Sequence, residues 1–127
     1  MKKIAFILLT ASTFFSSCSK DDDNGPNTSR TLQYNITGNF SGNLYASYTT
    51  AGGGTSNDPV TSLPWNKEIT FNTSVTAANI VISGNGGAAG QQVTLIIKRG
   101  GNIIGSPTVA TADASGSFTK AAPVVIF

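Results

Sequence analysis

The chain has 127 residues, a length that fits one domain, and only 11 % of them are charged. It contains no histidine and a single cysteine, which excludes Ser-His-Asp and Cys-His catalysis, His-bearing zinc sites and any internal disulfide. The formal charge is +2, and Lys2 and Lys3 alone account for it; the rest of the chain is balanced, so no basic stripe addresses nucleic acid.

In chain order, Lys2-Lys3 precede an apolar stretch that begins at Ile4 and reaches no further than Phe15. About a dozen residues fall short of the roughly 20 that a membrane-spanning helix needs, so residues 1–17 read as a secretory signal peptide. Phe15-Ser16-Ser17-Cys18 then resembles a bacterial lipobox, with Phe15 where leucine is usual. In that chemistry small residues precede a cysteine whose thiol takes up a diacylglyceryl group as a thioether and becomes the new N-terminus. One myristoyl chain binds a bilayer only marginally, but each buried CH₂ adds about 0.8 kcal/mol, so a triacylated Cys18 would anchor the chain firmly. Ser19-Lys20-Asp21-Asp22-Asp23 resembles the acidic export signal of surface lipoproteins in Bacteroidetes-type bacteria, and the same run is also a solvated tether. Three consecutive acids on a flexible strand are poorly preorganised for Ca²⁺. Residues 18–29 therefore read as a lipidated cysteine and an acidic linker, with Gly25-Pro26 as a further linker mark. The expected location is the outer membrane, facing the cell surface or the periplasm.

From Arg30 the pattern has period two. Leu32, Tyr34 and Ile36 alternate with Gln33 and Asn35; Leu44, Ala46 and Tyr48 alternate with Tyr45 and Ser47; Ile69 and Phe71 flank Thr70. "ANIVISG" and "QQVTLIIKRG" are more continuously apolar, as expected of central strands or strands covered on both faces. Gly52-Gly53-Gly54, "GNGGAAG" and Gly100-Gly101-Asn102 supply turns, the last joining Ile97 to Ile103 in a predicted hairpin. Further strands are predicted around Pro107 to Ala110 and from Ser117 to Phe127. These features predict, over residues 30–127, an immunoglobulin-like β-sandwich of about seven short antiparallel strands.

Candidate chemistry is sparse. Beyond the linker only Asp58, Glu68 and Asp113 are acidic, and nothing in their spacing pairs two carboxylates as a glycosidase requires. Gly84-Asn85-Gly86-Gly87-Ala88-Ala89 fits the pattern G-x-G-x-x-A after a strand-like run. A dinucleotide site would need a helix next, and "GQQVTLIIK" is strand-like, so the glycines read as a hairpin loop. No cofactor and no metal are expected. Trp65, preceded by Pro64, reads as a core or rim plug; alternatively, with Tyr45 and Tyr48, it forms an aromatic platform for a sugar ring or a partner chain.

From Tyr34 the chain shows "YNITG", "LYASYTTAGGGTSN" and "SLPWNKEITF", then a Gly-rich turn, "VTLIIKRGGNIIGS" and a Ser/Thr-rich final hairpin. In this order the elements resemble the small-membrane-protein family known from mycobacteria as MmpS, with its "Y-x-V-T-G", "Y-x-x-x-G-G" and "L-P-W" motifs. Tyr34, Gly38, Tyr48, Leu63, Pro64 and Trp65 occupy matching positions. The resemblance implies an immunoglobulin-like extracytoplasmic domain, without catalytic residues, that accompanies large resistance-nodulation-division exporters of lipids and siderophores. Members of that family are usually held by a transmembrane helix, whereas this leader ends at Cys18. The expectation is a non-enzymatic envelope lipoprotein, partnered by its membrane anchor and by an exporter or envelope complex. The alternative is a surface recognition module for glycans or proteins.

Overall fold

The computed structural model describes residues 27–127, and these form strands without a helix. The predicted period-two segments are the core strands. Leu32, Tyr34 and Ile36 of β1 (Thr31–Gly38) are buried, as are Leu44, Ala46 and Tyr48 of β2 (Asn43–Thr49). Successive side chains on a strand point to opposite faces, so the polar residues between them necessarily line the outer surface. Around this pair come β3 (Thr55–Val60), β4 (Trp65–Thr70), β5 (Ala77–Ala78) and β6 (Ile80–Asn85). The chain continues through β7 (Gln92–Arg99), β8 (Asn102–Ile103), β9 (Thr108–Thr111), β10 (Phe118–Ala121) and β11 (Val125–Ile126).

All pairings are antiparallel. One sheet runs β4-β1-β7, with β8 and β9 both pairing the far side of β7; the other runs β10-β6-β2-β3, and β5 pairs β11. Their inner faces meet through Leu32 and Ile36, Val93 and Leu95 on one side and Ala46, Ile80 and Ile82 on the other, each at most 1 % exposed. The expected all-β antiparallel sandwich is thus what forms, with eleven short strands in place of about seven. Three of them, β5, β8 and β11, have two residues each and pin loops to the edges.

β6 and β7 are central strands, one of the two readings their apolar runs allowed, and each buries one face only: Val81 and Ser83, Thr94 and Ile96 are half-exposed on the outside. Two segments differ from the predictions. The "GNGGAAG" segment is not a hairpin loop. It carries the chain from β6 in one sheet to β7 in the other, because β6 has β2 and β10 as neighbours and β7 has β1, β8 and β9. The final Ser/Thr-rich segment likewise is no hairpin: β9 pairs β7, β10 pairs β6, and the connection between them changes sheets. The Gly100-Gly101 hairpin does form, with Lys98 opposite Ile103 and Arg99 opposite Asn102. Both glycines have positive φ (58° and 88°), as a two-residue turn matching the strand twist requires.

The glycines of the crossing segment serve packing. Phe40 and Phe118 meet edge to face at 5.0 Å, and a Cβ on Gly84 would lie 2.6 Å from the Phe118 ring and 2.7 Å from the Phe40 ring. Gly87 is approached by Phe40 in the same way. A Gly84→Ala variant is therefore expected to lose about 1–3 kcal/mol to overpacking, read as a lowered urea midpoint. Shortening the obstacle in a Gly84→Ala, Phe118→Leu double variant should restore part of that loss. A Gly84→Ala chain as stable as the parent would contradict this account of the glycine.

Candidate functional site

Cys18 and the run Ser19, Lys20, Asp21, Asp22 and Asp23 lie outside the described residues, as do residues 1–17, the predicted signal peptide. Among the described residues, no helix is long and apolar enough to cross a membrane, and no three acidic or sulfur side chains gather as a metal would need.

The three candidate aromatics do not share one surface. Tyr45 and Tyr48 are three positions apart on β2, so they project from opposite faces of the strand. Tyr48 is 3 % exposed. Its ring centroid lies 6.3 Å from that of half-buried Trp65 and 6.2 Å from that of Tyr34. Trp65 thus caps a row of three aromatic rings between the sheets, the rim-plug arrangement, and packs against the core. Of the motif positions, Leu63 also packs against the core, and the Leu63–Pro64 bond before Trp65 is cis. Tyr45 stands instead on the outer face of the second sheet, opposite Pro59 on β3 and Ser83 on β6. That face carries a ladder of hydroxyl and amide contacts: Ser47 to Asn57 (2.7 Å), Thr49 to Asn79 (2.9 Å) and Asn43 to Asn85 (3.4 Å).

The most organised polar group sits beside the aromatic row, where edge strands β3 and β4 face each other across the open side of the sandwich. Asp58 lies opposite Ala46, which leaves the diagonal free for the Tyr48 hydroxyl to donate to its Oδ2. Ser56 Oγ donates to Oδ1 at 2.8 Å. From the other sheet, Lys67 places its Nζ 4.0 Å from Asp58 Oδ2 and 5.7 Å from the centroid of the Tyr48 ring. The hydrogen bond from Tyr48, then that from Ser56, and last the Lys67 charge hold the Asp58 carboxyl below its ordinary range. A general base works best with a pKa near the operating pH, and this carboxylate is moved the opposite way. The cluster is suited to holding charge in place. Both charges point inward from edge strands, and Pro59 lacks an amide hydrogen; these devices block edge-to-edge sheet pairing.

Sequence reasoning missed Asp58 and Lys67 as partners, although a signal was present. Lys67 is in phase with Trp65 and Ile69 on β4, and Asp58 with Val60 on β3, so both had to face the core side. Glu68 faces outward and accepts from Gln33 Nε2 at 2.6 Å. Asp113 closes the β9–β10 connection, its Oδ1 accepting from Ser115 Oγ (2.6 Å), Ser115 N (2.9 Å) and Ser117 N (3.1 Å), which lower its pKa.

The lowered Asp58 pKa has a definite sign for stability. The folded state binds the proton less readily than the unfolded chain, so this contribution is complete above the ordinary carboxylate pKa of about 4 and is lost as pH falls through the lower folded value. Urea midpoints measured from pH 7 to 2 should therefore fall more steeply for the parent than for Asp58→Asn, with the Asp113 contribution common to both. Identical slopes would mean that the Asp58 contacts do not persist in solution.

Tyr34 has the inverse property. Its hydroxyl is a buried side-chain polar atom without a hydrogen-bond partner, and burial, then the Tyr48 phenol, push its pKa up to about 12. A raised phenol pKa favours the neutral form, so its contribution is complete below about pH 10 and is lost as pH rises through 12. Removing an unsatisfied buried hydroxyl relieves a desolvation cost. Tyr34→Phe is expected to gain about 1 kcal/mol at pH 7, a rise in Tm of roughly 4–8 °C, and to lose less stability than the parent between pH 10 and 12. A variant that melts below the parent at pH 7 would show that the hydroxyl is satisfied in solution.

No protein-family model matches the chain, and no curated protein is similar enough in sequence to stand as a relative.

Proposed function

We propose that this chain is a lipid-anchored, non-enzymatic docking protein of the bacterial envelope, whose sandwich engages an exporter or another envelope complex. The observation that carries the reading is the leader: Lys2-Lys3, an apolar run too short to span, and Ser16-Ser17-Cys18 immediately before an acidic tether. It is supported by the lack of histidine and by a carboxylate, Asp58, held in the charged state away from general-base work. The MmpS-like motif order supports an exporter as the partner, and Tyr34, Tyr48 and Trp65, three of its positions, pack in one aromatic row. Deleting the gene should reduce export of envelope lipids or siderophores, and cross-linking in cells should bring down a membrane transporter. Unchanged export with no transporter in the cross-linked material would sink the proposal.

A second reading, recognition of glycans at the cell surface, is favoured by one observation. The outer face around Tyr45 is uncharged and lined with Ser, Thr and Asn side chains already ordered in a hydrogen-bonded ladder. Glycan-array binding lost in Tyr45→Ala and kept in Asp58→Asn would support it; binding equal to the parent in Tyr45→Ala would remove that face from consideration.

A further inference from the structure

The described chain starts at one end of the sandwich and is fastened there. Asn27 Nδ2 donates to the Arg99 carbonyl at 2.7 Å, and Arg99 Nε donates to the Ser29 carbonyl at 2.7 Å. The same guanidinium reaches the Ile126 carbonyl at 3.1 Å and lies 5.0 Å from the centroid of the Phe127 ring, whose other cationic neighbour is Arg30 at 4.6 Å. The start of the chain, β7 and β11 therefore converge on one end. That end also concentrates exposed apolar surface: Ile103, Val124 and Ile126 are 59 %, 54 % and 65 % exposed. Val124 and Ile126 border an apolar groove of about 290 Å³ floored by Ile97, Ile104 and Val125. Large exposed aliphatics gathered around a groove mark a contact surface.

The tether indicates what covers it. Asn27 lies nine positions beyond Cys18, a span of at most about 30 Å with an r.m.s. reach near 17 Å. A domain of this size is about 33 Å across. The domain therefore cannot stand inverted, with Asn27 on its far side, relative to whatever holds Cys18. Arg30 and Arg99 lie at this end, Lys98 stands level with Glu68 across Gln33, and Asp113 lies in the β9–β10 connection at the opposite end; basic side chains near a bilayer are drawn to anionic headgroups. We infer that this end of the sandwich is a bilayer-contact surface, with Ile103, Val124 and Ile126 seated in the interfacial layer and the groove closed by lipid. The inference rests on the reading of Cys18 as the lipid anchor. Short tethers give effective concentrations of about millimolar, so a contact too weak to hold the free domain is populated once the chain is anchored.

The test supplies the anchor chemically, so that it does not depend on lipidation in the cell. The chain from Cys18 onward is coupled through that thiol to a maleimide lipid in vesicles of phosphatidylcholine and phosphatidylglycerol, and amide hydrogen exchange is compared with the thiol-capped chain in solution. Exchange in residues 102–106 and 124–127 should slow about tenfold on vesicles. The protection should disappear in an Ile103→Ser, Val124→Ser, Ile126→Ser triple variant and persist in Val109→Ser, an exposed apolar residue on the outer face of β9. Absence of protection in the parent overturns the inference, and so does protection that survives the triple substitution. Concentration-dependent protection of the same segments without vesicles would instead make this end an interface between copies of the chain, which also overturns it. Fatty-acid labelling of Cys18 in cells reports separately on the anchor, so either reading can fail without the other.

Discussion

An Ile82→Ala variant is expected to lose about 2–5 kcal/mol of folding stability, the largest effect of any single truncation considered for this chain. Ile82 is fully buried on β6, between β2 and β10, with Ala46 and Lys120 as its register neighbours. Truncation removes apolar surface from the centre of the sandwich and leaves a cavity that flanking strands, each hydrogen-bonded on the register of its neighbour, cannot collapse to fill. A domain of this kind has only about 5–15 kcal/mol in total, so the loss is a large fraction of it. The measurement is a pair of thermal and urea melts beside Val81→Ala, whose side chain is on the outer face of the same strand. The outer variant should stay within about 0.5 kcal/mol of the parent. Equal losses in the two would mean that β6 does not present Ile82 to the core.

Replacing Cys18 by serine is expected to abolish fatty-acid labelling of the chain in its native cell. Thioether formation needs a nucleophile that ionises near neutral pH, and a thiol with a pKa of about 8.5 does so while an aliphatic hydroxyl does not. The chain has no second thiol to take over, so the effect is all-or-none rather than partial. Metabolic labelling with a fatty-acid analogue, followed by mass measurement of the N-terminal peptide, checks it. Label retained in Cys18→Ser, or absent from the parent, would end the lipoprotein reading. Folding of the sandwich should be untouched, because Cys18 precedes the described domain, whose first anchored residue is Asn27.

The two predictions draw on different levels of structure. Ile82 lies in "ANIVISG", whose more continuous apolar run fitted either a central strand or one covered on both faces; β6 is a central strand with one face covered. Glycine patterns were legible as breaks and not as routes. Gly100-Gly101 makes the predicted hairpin, whereas "GNGGAAG" crosses between sheets. Both stretches are flexible in local terms, and their difference lies in which distant strands claim β6 and β7. Tyr45 and Tyr48 could have been separated at once by their odd spacing on a strand. The meeting of Asp58 with Lys67 could not, since inward phase predicts the face but not the partner across it.

The sequence by itself determined the properties that depend on covalent order and short-range periodicity. These are a lone Cys18 between an apolar run and an acidic one, a chain without histidine, and strands whose alternate residues face a core. Such properties follow from bond chemistry and from the two-residue repeat of extended backbone, and they need no distant partner. Only the tertiary structure decided that β3 and β4 close the open side through Asp58 and Lys67, that Tyr34, Tyr48 and Trp65 stack between the sheets, and that Asn27 is fastened to Arg99 beside an apolar groove. Strand pairing is non-local: each strand could hydrogen-bond equally well to many others. The arrangement that wins is the one that buries the inner faces of all strands together.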